Sequence, residues 1–152
     1  MTAVISLRAV ADALEEQDDQ CGAYLNPVSG EILTVSHEED RMLEEGYDEE
    51  SLPQWQVDTL NRVREFQQNT VLTLPNAFDI HEWQIMDNFA EEQENDGTRN
   101  ILSQALHGSG AFRCFKNAIY QQGIEEAWFR FRRKALEAIA REWLEEHHLP
   151  YN

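Results

Sequence analysis

The chain has 152 residues, and its 12 basic and 29 acidic side chains give a formal net charge of -17 at pH 7. A hydrophobic fraction of 41% with only 4 Pro and 7 Gly excludes a disordered chain and indicates a globular protein. Cys21 and Cys114 are too few and too far apart for a disulfide framework or a zinc site, so we expect neither a metal nor a cofactor.

The ends of the chain differ in charge. Residues 1–98 carry 4 Arg against 23 acids, a net charge of -19, whereas residues 99–152 carry 8 basic residues against 6 acids, a net charge of +2. Nucleic-acid binding is therefore unfavourable through the acidic part. The N-terminal apolar run is too short and too acidic for a signal peptide, and no window approaches the roughly 20 apolar residues of a transmembrane helix. We predict a cytoplasmic protein that does not bind membranes.

The first elements are a helix and a β-hairpin. Apolar residues at helical spacing predict a short helix over residues 4–16. Two β-rich runs, 21–25 and 31–35, flank a segment of Asn, Pro, Ser and Gly. This pattern is typical of a hairpin, in which Gly30 can adopt a positive φ.

A short acidic helix follows the hairpin. Ser36 and Glu39 fit a capping box, and Gly46 is suited to end the helix that it opens. A further helix is predicted at about residues 55–66, and a third strand at 71–75. That strand is expected to pair with the hairpin, because two strands alone are marginal in water.

The remainder of the chain has a helical pattern. Four helices are predicted, the first with Asp79 as its N-cap, at 79–92, 98–107, 110–122 and 125–147. The predicted fold is therefore α+β, a small three-stranded antiparallel sheet with an N-terminal helix, followed by a C-terminal four-helix region. No linker or repeat divides the chain, so residues 1–152 are expected to form a single domain, with an acidic α/β part (1–77) and a helical part (78–152).

Several segments resemble a known family. They are FDIHEWQIMDNF at 78–89, GAFRCFK at 110–116, WFRFR at 128–132 with Trp143-Leu144, and the hairpin residues 24–31. Together they are similar to the bacterial group named Uncharacterised Protein Family 0158, over most of the chain. The resemblance implies a small bacterial protein and transfers no catalytic residues. Cys114, where the family pattern has a basic residue, and a longer acidic stretch at 38–50 depart from it.

One cation falls within the apolar face of the last helix. When residues 125–147 are projected at ~100° per residue, Arg132 lies between Ile139 and Trp143. A buried guanidinium cannot lose its proton and must be paired. The other charged residues of this helix fall on the opposite face and are expected to be solvated: Arg130, Arg133, Lys134, Glu137 and Arg141.

Glu82 lies within the apolar face of the helix predicted at 79–92 and offers the opposite charge. We predict a structural ion pair between Glu82 and Arg132, with Arg113 as the second choice of partner. Three alternatives remain. Glu82 could complete a capping box with Asp79, and Arg132 could extend its head to water or bind an anionic ligand.

The turn at Ser109 and Gly110 is a candidate anion-binding site. It leads into a helix on which Arg113, Lys116 and Tyr120 share one face. Cations oppose the positive end of the helix dipole, whereas an anion there would be held by free N–H groups. An internal carboxylate or a solvated face explains the same residues, and the P-loop spacing is absent.

The acidic stretch at 38–50 is either a solvated face or a docking surface for a basic partner. Apolar residues lie within and just beyond it, as an amphipathic interface requires: Met42, Leu43, Tyr47, Leu52 and Trp55. No catalytic triad, HExxH motif or environment-split carboxylate pair is recognisable, so no catalytic residue is assigned.

The leading hypothesis is a non-enzymatic, acidic protein-interaction module that docks a basic protein surface. The alternative is a protein that binds an anion, a nucleotide or nucleic acid, with or without catalysis, through Arg113, Lys116 and Arg132. The sequence leaves a homodimer open.

Overall fold

The computed structural model describes residues 3–17 and 20–152, apart from the side chains of residues 77 and 78. Its strands and longer helices are α1 (Leu7–Glu16), β1 (Cys21–Leu25), β2 (Ile32–Ser36), α2 (His37–Glu45), α3 (Gln54–Gln67), β3 (Leu72–Thr73), α4 (Ala77–Ile80), α5 (Glu82–Glu91), α6 (Asp96–Leu106), α7 (Ala111–Gln122) and α8 (Glu125–Glu146). A short 3₁₀ helix, Glu49–Ser51, lies between α2 and α3. The predicted α+β fold is confirmed, including the N-terminal helix and the helical C-terminal region.

The sheet is antiparallel, with the strand order β2-β1-β3, and its two faces have different partners. Residues opposite one another in neighbouring strands point to the same face. Leu25 lies opposite Ile32 of β2 and Leu72 of β3, and all three pack on the main hydrophobic cluster. Val35 lies opposite Gly22 on the other face, where α3 contacts β2.

The hairpin turn is built by Asn26 and Gly30. The Asn26 side-chain oxygen accepts hydrogen bonds from the backbone N–H groups of Val28 and Ser29, at 2.9 and 3.3 Å. Gly30 adopts a φ of 80°, as predicted, and donates its N–H to the Asn26 carbonyl. Asn26 is buried, so these bonds satisfy an amide that would otherwise be costly to remove from water.

The acidic helix α2 begins and ends where the sequence predicts. Ser36 accepts a hydrogen bond from the Glu39 N–H at 3.1 Å, and the Glu39 carboxylate accepts one from the Ser36 N–H at 3.4 Å. This capping box is confirmed, and Gly46 ends the helix with a φ of 92°. None of the residues of α2 is buried, so the helix lies on the surface of the fold.

The prediction of a single helix over 79–92, capped by Asp79, is wrong. The chain forms the one-turn helix α4 and then α5, separated by His81 in the left-handed conformation (φ 57°). Asn76 is the earlier cap: its side-chain oxygen accepts from the Asp79 N–H at 2.8 Å, and the Asp79 carboxylate accepts from the Asn76 N–H at 3.2 Å. The Asp79 N–H, which would have to donate to Glu82 in a capping box, is bonded to Asn76 instead. The Glu82 carboxylate, at the start of α5, is therefore available to another donor.

One hydrophobic cluster joins residues of the predicted parts 1–77 and 78–152. It contains Leu14 and Leu25 as well as the aromatic residues Phe89, Phe115 and Trp128, whose rings lie 5.0–6.5 Å apart in edge-to-face contacts. Helix α1 packs against α8, which places the N-terminal helix in contact with the last one.

The ends of the described chain also lie side by side. The Ile5 N–H donates to the Pro150 carbonyl at 2.8 Å, and the Asn152 N–H donates to the Ile5 carbonyl at 3.1 Å. These bonds hold the last residues beside the start of α1.

Candidate functional site

The structure brings Glu82 of α5 and Arg132 of α8 together. Arg132 Nε donates to Glu82 Oε1 at 2.6 Å, and Nη2 donates to Oε2 at 3.5 Å. The two side chains are 24% and 22% exposed, so the pair is partly removed from water. Its carboxylate also lies in the first turn of α5, where the helix dipole favours negative charge.

The geometry favours this pair over the alternatives for the two residues. Glu82 does not form a capping box with Asp79, whose N–H bonds to Asn76. Arg113 does not take the second place that the sequence offered it, because its side chain is exposed on α7. Arg132 is held by Glu82, and its Nε is therefore directed to a carboxylate of the same chain.

Arg133 was expected on the solvated face of α8, and this expectation is wrong. Its side chain is 23% exposed, and Nη1 lies 2.7 Å from Asp12 and 2.8 Å from Glu15 of α1. Nε lies 3.2 Å from Glu137, one turn further along α8. A projection of α8 alone misses this contact, because α1 covers the face that the projection leaves in water. The signal in the sequence was the pair of acids at i and i+3 of α1.

The five residues of the predicted anion site lie around the start of α7, and all of them are exposed: Ser109, Gly110, Arg113, Lys116 and Tyr120. Gly110 has a φ of 69° and precedes the helix. A surface depression of about 500 Å³ is lined by Ser109, Gly110, Phe112, Arg113 and Cys114. Within the described residues, neither Arg113 nor Lys116 forms an ion pair. These residues therefore form a solvated face with two accessible cations.

Neither a metal-binding cluster nor a membrane-spanning helix occurs among the described residues. In residues 3–17 and 20–152, no group of three or more His, Cys, Asp or Glu side chains is arranged to hold a metal ion. No helix in these two ranges combines the length and the apolar character that spanning a bilayer demands.

We use the name acidic flank for residues 37–55, which comprise α2, the 3₁₀ helix and the start of α3. Residues 38–50 alone hold eight acids and one basic residue, Arg41. Across the described part of the chain, none of these eight carboxylates forms an ion pair with Lys or Arg. Six of the eight are exposed to solvent, whereas Glu39 and Asp40 are half-buried and accept hydrogen bonds within the chain.

Asp40 attaches the acidic flank to the rest of the fold. It accepts a hydrogen bond from the Tyr24 hydroxyl of β1 and another from the Gln67 amide of α3, both at 3.0 Å. Burial raises the pKa of Tyr24 above its ordinary value, and the negative charge of Asp40, the hydrogen bond to it and the charge of Glu44 raise it further. The phenol is thereby kept protonated and able to donate.

The apolar residues of the flank divide into two groups. Four of them are half-buried: Met42, Leu43, Tyr47 and Leu52. Tyr47 accepts a hydrogen bond from Arg64 at 2.9 Å, and its ring centroid lies 5.8 Å from the guanidinium carbon. Trp55 is different, because 69% of its surface is exposed at the start of α3, shortly after the 3₁₀ helix that carries Glu49 and Glu50. Sequence spacing could name Trp55, but it could not show this exposure.

The comparisons with known proteins give a family and no activity. The model of the Uncharacterised protein family (UPF0158) matches residues 2–152, nearly the whole chain, which confirms the resemblance stated from the sequence. No curated protein and no solved structure matches the chain. The function must therefore be argued from the surface itself.

Proposed function

Because the chain belongs to the Uncharacterised protein family (UPF0158), whose description states no activity, we propose from its surface that it is a non-enzymatic protein-interaction module. The acidic flank is the docking surface, and its partner is a protein with a basic surface. The observation that carries the proposal is Trp55, which is 69% exposed and follows shortly in the chain after carboxylates that have no ion pair with Lys or Arg among the described residues.

The charge of the flank supplies attraction and selectivity. Carboxylates that are not neutralised within their own chain create a negative field, which speeds the approach of a basic partner and repels an acidic one. The attraction is screened by salt, since the Debye length falls from about 30 Å at 0.01 M to about 8 Å at 0.15 M. Association is therefore expected to weaken as the salt concentration rises.

Trp55 supplies the part of the affinity that salt does not screen. Tryptophan is enriched among the residues that dominate binding energy at protein interfaces, where its large surface is removed from water. In the isolated chain most of the Trp55 side chain stays in water, so the favourable free energy of burying it is not realised. A partner that covers Trp55 gains this free energy on binding. The half-buried apolar residues nearby extend the same surface.

We further propose a cytoplasmic location, where an exposed thiol such as that of Cys114 stays reduced. The anion-binding alternative rests on the start of α7, where Arg113 and Lys116 are exposed and the adjoining depression is open to solvent. No buried polar group among the described residues points into that depression. The interaction proposal has the more specific support, and the anion site becomes an outcome of the test.

The test captures partners from an extract of the source cells, identifies them, and repeats the binding with the purified partner. The flank variant is Glu44→Gln/Glu45→Gln/Glu49→Gln, and a second variant is Trp55→Ala. A matched control, Glu91→Gln/Glu92→Gln/Glu94→Gln, removes the same charge from exposed acids at the end of α5. Circular dichroism checks that each variant is folded.

We expect a basic partner whose affinity falls about tenfold or more in both flank variants and stays within about twofold in the control. An equal loss in the control would show that only total charge matters and would contradict the proposal. Phosphate that raises the melting temperature of the wild type, but not of Arg113→Gln/Lys116→Gln, would favour the anion site instead.

A further inference from the structure

A groove lies between β3 and the C-terminal half of α8, on residues that the acidic flank does not include. Its volume is about 340 Å³, and Thr73 and Leu74 form one side of it. The apolar floor consists of Leu74, Pro75, Ile139 and Trp143. Leu74 and Trp143 are buried in the core, so the floor is a fixed part of the fold.

Three carboxylates surround this apolar floor: Asp79, Glu142 and Glu146. All three side chains are exposed, and no Lys or Arg is among the residues that line the groove. Within the described residues none of the three forms an ion pair, and Asp79 accepts only the N–H of Asn76. The groove is therefore apolar at its base and negative at its rim.

The position of two of these acids is unfavourable in the isolated chain. Glu142 and Glu146 are four residues apart on α8, where like charges repel one another. They lie near the C-terminus of the helix, where the dipole favours cations, yet the last turn of α8 contains no basic residue. Rules of local stability are most often broken at functional positions. A cation bound in the groove would reduce both the repulsion between Glu142 and Glu146 and their unfavourable interaction with the helix dipole.

The groove also determines the shape of its occupant. A volume of about 340 Å³ is near the lower limit of the range for ligand pockets, about 300–1,000 Å³, and suits one or two side chains. Strand β3 is an edge strand, because β1 pairs with it on one side and the sheet ends there. A chain segment in extended conformation fits alongside such a strand more readily than a helix does.

We infer that this groove, called here the β3–α8 groove, docks an extended basic segment of a partner protein. The aliphatic stem of a Lys or Arg from that segment lies on Ile139 and Trp143, and its charged head reaches Glu142, Glu146 or Asp79. An apolar residue of the same segment occupies the remainder of the floor. The inference does not require the acidic flank, with which the groove shares no residue.

The test measures the fluorescence anisotropy of a labelled heptapeptide of alternating Lys and Val, in about 0.1 M salt, where distant charges are screened. Glu142→Gln/Glu146→Gln removes the rim charge, and Ile139→Lys places a competing cation on the half-buried floor of the groove. The matched control is Glu91→Gln/Glu94→Gln. The flank variant Glu44→Gln/Glu45→Gln/Glu49→Gln is measured in parallel, and circular dichroism verifies the fold of every variant.

We expect saturable binding that is weakened about tenfold or more by both groove variants, and by less than about twofold in the control and in the flank variant. A heptapeptide of alternating Lys and Gly should bind more weakly, because it lacks the apolar contacts. The absence of saturable binding to the wild type would overturn the inference.

Three other results would also overturn it. Loss of binding in the flank variant alone would assign the peptide to the acidic flank and leave the proposed function intact. Equal loss in all variants would reveal only non-specific attraction to a negative protein. Displacement of the peptide by spermidine at an equal concentration would identify a site for small polycations rather than for a protein segment.

Discussion

The acidic flank and the interface between α1 and α8 use the same kind of residue in opposite ways. In the interface, Asp12, Glu15 and Glu137 surround one cation, Arg133, at distances of 2.7–3.2 Å. In the flank, none of the eight carboxylates at residues 38–50 forms an ion pair among the described residues, and six of them are exposed to solvent. The number of acids is therefore a poor guide to their role, and the presence of an internal cation separates the acids that hold the fold from those available to a partner.

The same contrast occurs within α8. Its N-terminal half carries Arg132 and Arg133, each bound to a carboxylate of another helix. Its C-terminal half carries Glu142 and Glu146 at the rim of the β3–α8 groove, without a basic residue in the last turn. One helix thus contributes paired charges to the interior and unpaired charges to the surface.

The largest effect is expected where a paired charge loses its partner. Arg132→Gln should lower the free energy of unfolding by about 1–2 kcal/mol, less than the about 3–5 kcal/mol of a fully buried pair, because both side chains remain about a quarter exposed. Glu82→Gln should cost a similar amount. In the double variant the loss should be smaller than the sum of the single losses, since neither charge is then left alone.

Urea unfolding of the wild type, both single variants and the double variant measures this coupling. If the two single losses simply add in the double variant, the 2.6 Å contact between Glu82 and Arg132 contributes no interaction energy to the folded state. An acid with an internal cation would then stabilise the fold no more than an acid without one.

Removing charged side chains should change the free energy of unfolding by a smaller amount, with opposite signs at the α1–α8 interface and in the acidic flank. Arg133→Gln leaves three carboxylates close together and should cost about 0.5–1 kcal/mol, with the cost declining at high salt as their repulsion is screened. Glu44→Gln/Glu45→Gln/Glu49→Gln should instead raise stability slightly, because it removes acids from the negative end of α2 and from a like-charged surface.

Thermal and urea unfolding at low and high salt show whether each variant is less or more stable than the wild type. Destabilisation by the flank variant would show that its acids have stabilising partners, and the contrast between the two regions would then be lost.

The smallest effect concerns the attachment of the flank at high pH. The pKa of Tyr24 in the folded chain is raised above its ordinary value of 10.0, first by burial and then by Asp40. Its contribution to stability is therefore complete below pH 10 and is lost as the pH rises above 10 towards the folded pKa, because the unfolded phenol ionises first.

Tyr24→Phe should remove this alkaline decline while it leaves the profile near neutral pH parallel to that of the wild type. Unfolding curves recorded across this pH range provide the measurement. An identical alkaline decline in the variant would assign it to other groups and would leave the bond between Tyr24 and Asp40 without a role in holding the flank.

Features that depend on near neighbours in the sequence could be predicted well. The capping box of Ser36 and Glu39 and the positive φ of Gly30 involve residues within one turn of each other. The pairing of Glu82 with Arg132, 50 residues apart, could be foreseen only because both charges interrupt apolar faces. Arg133 gave no such signal, since its partners Asp12 and Glu15 lie on α1, more than 100 residues away.

The helix boundary near residue 79 shows a different limit. Only Asp79 was predicted as the N-cap, although Asn76, three residues earlier, is of a residue type that caps helices equally well. The reciprocal bonds between these two residues select Asn76, and His81 in the left-handed conformation separates α4 from α5. Local preference could not choose between two acceptable caps.

The α+β class, the hairpin and the position of most helices could be read from the sequence, because period, capping and turn chemistry act over a few residues, and the family could be read from the motifs that resemble it. That α1 neutralises Arg133, that Trp55 remains exposed, and that β3 and α8 form an apolar groove with a negative rim became evident only in the folded chain. These outcomes depend on which surfaces of distant elements cover one another, and that depends on the packing of the whole chain rather than on any one segment.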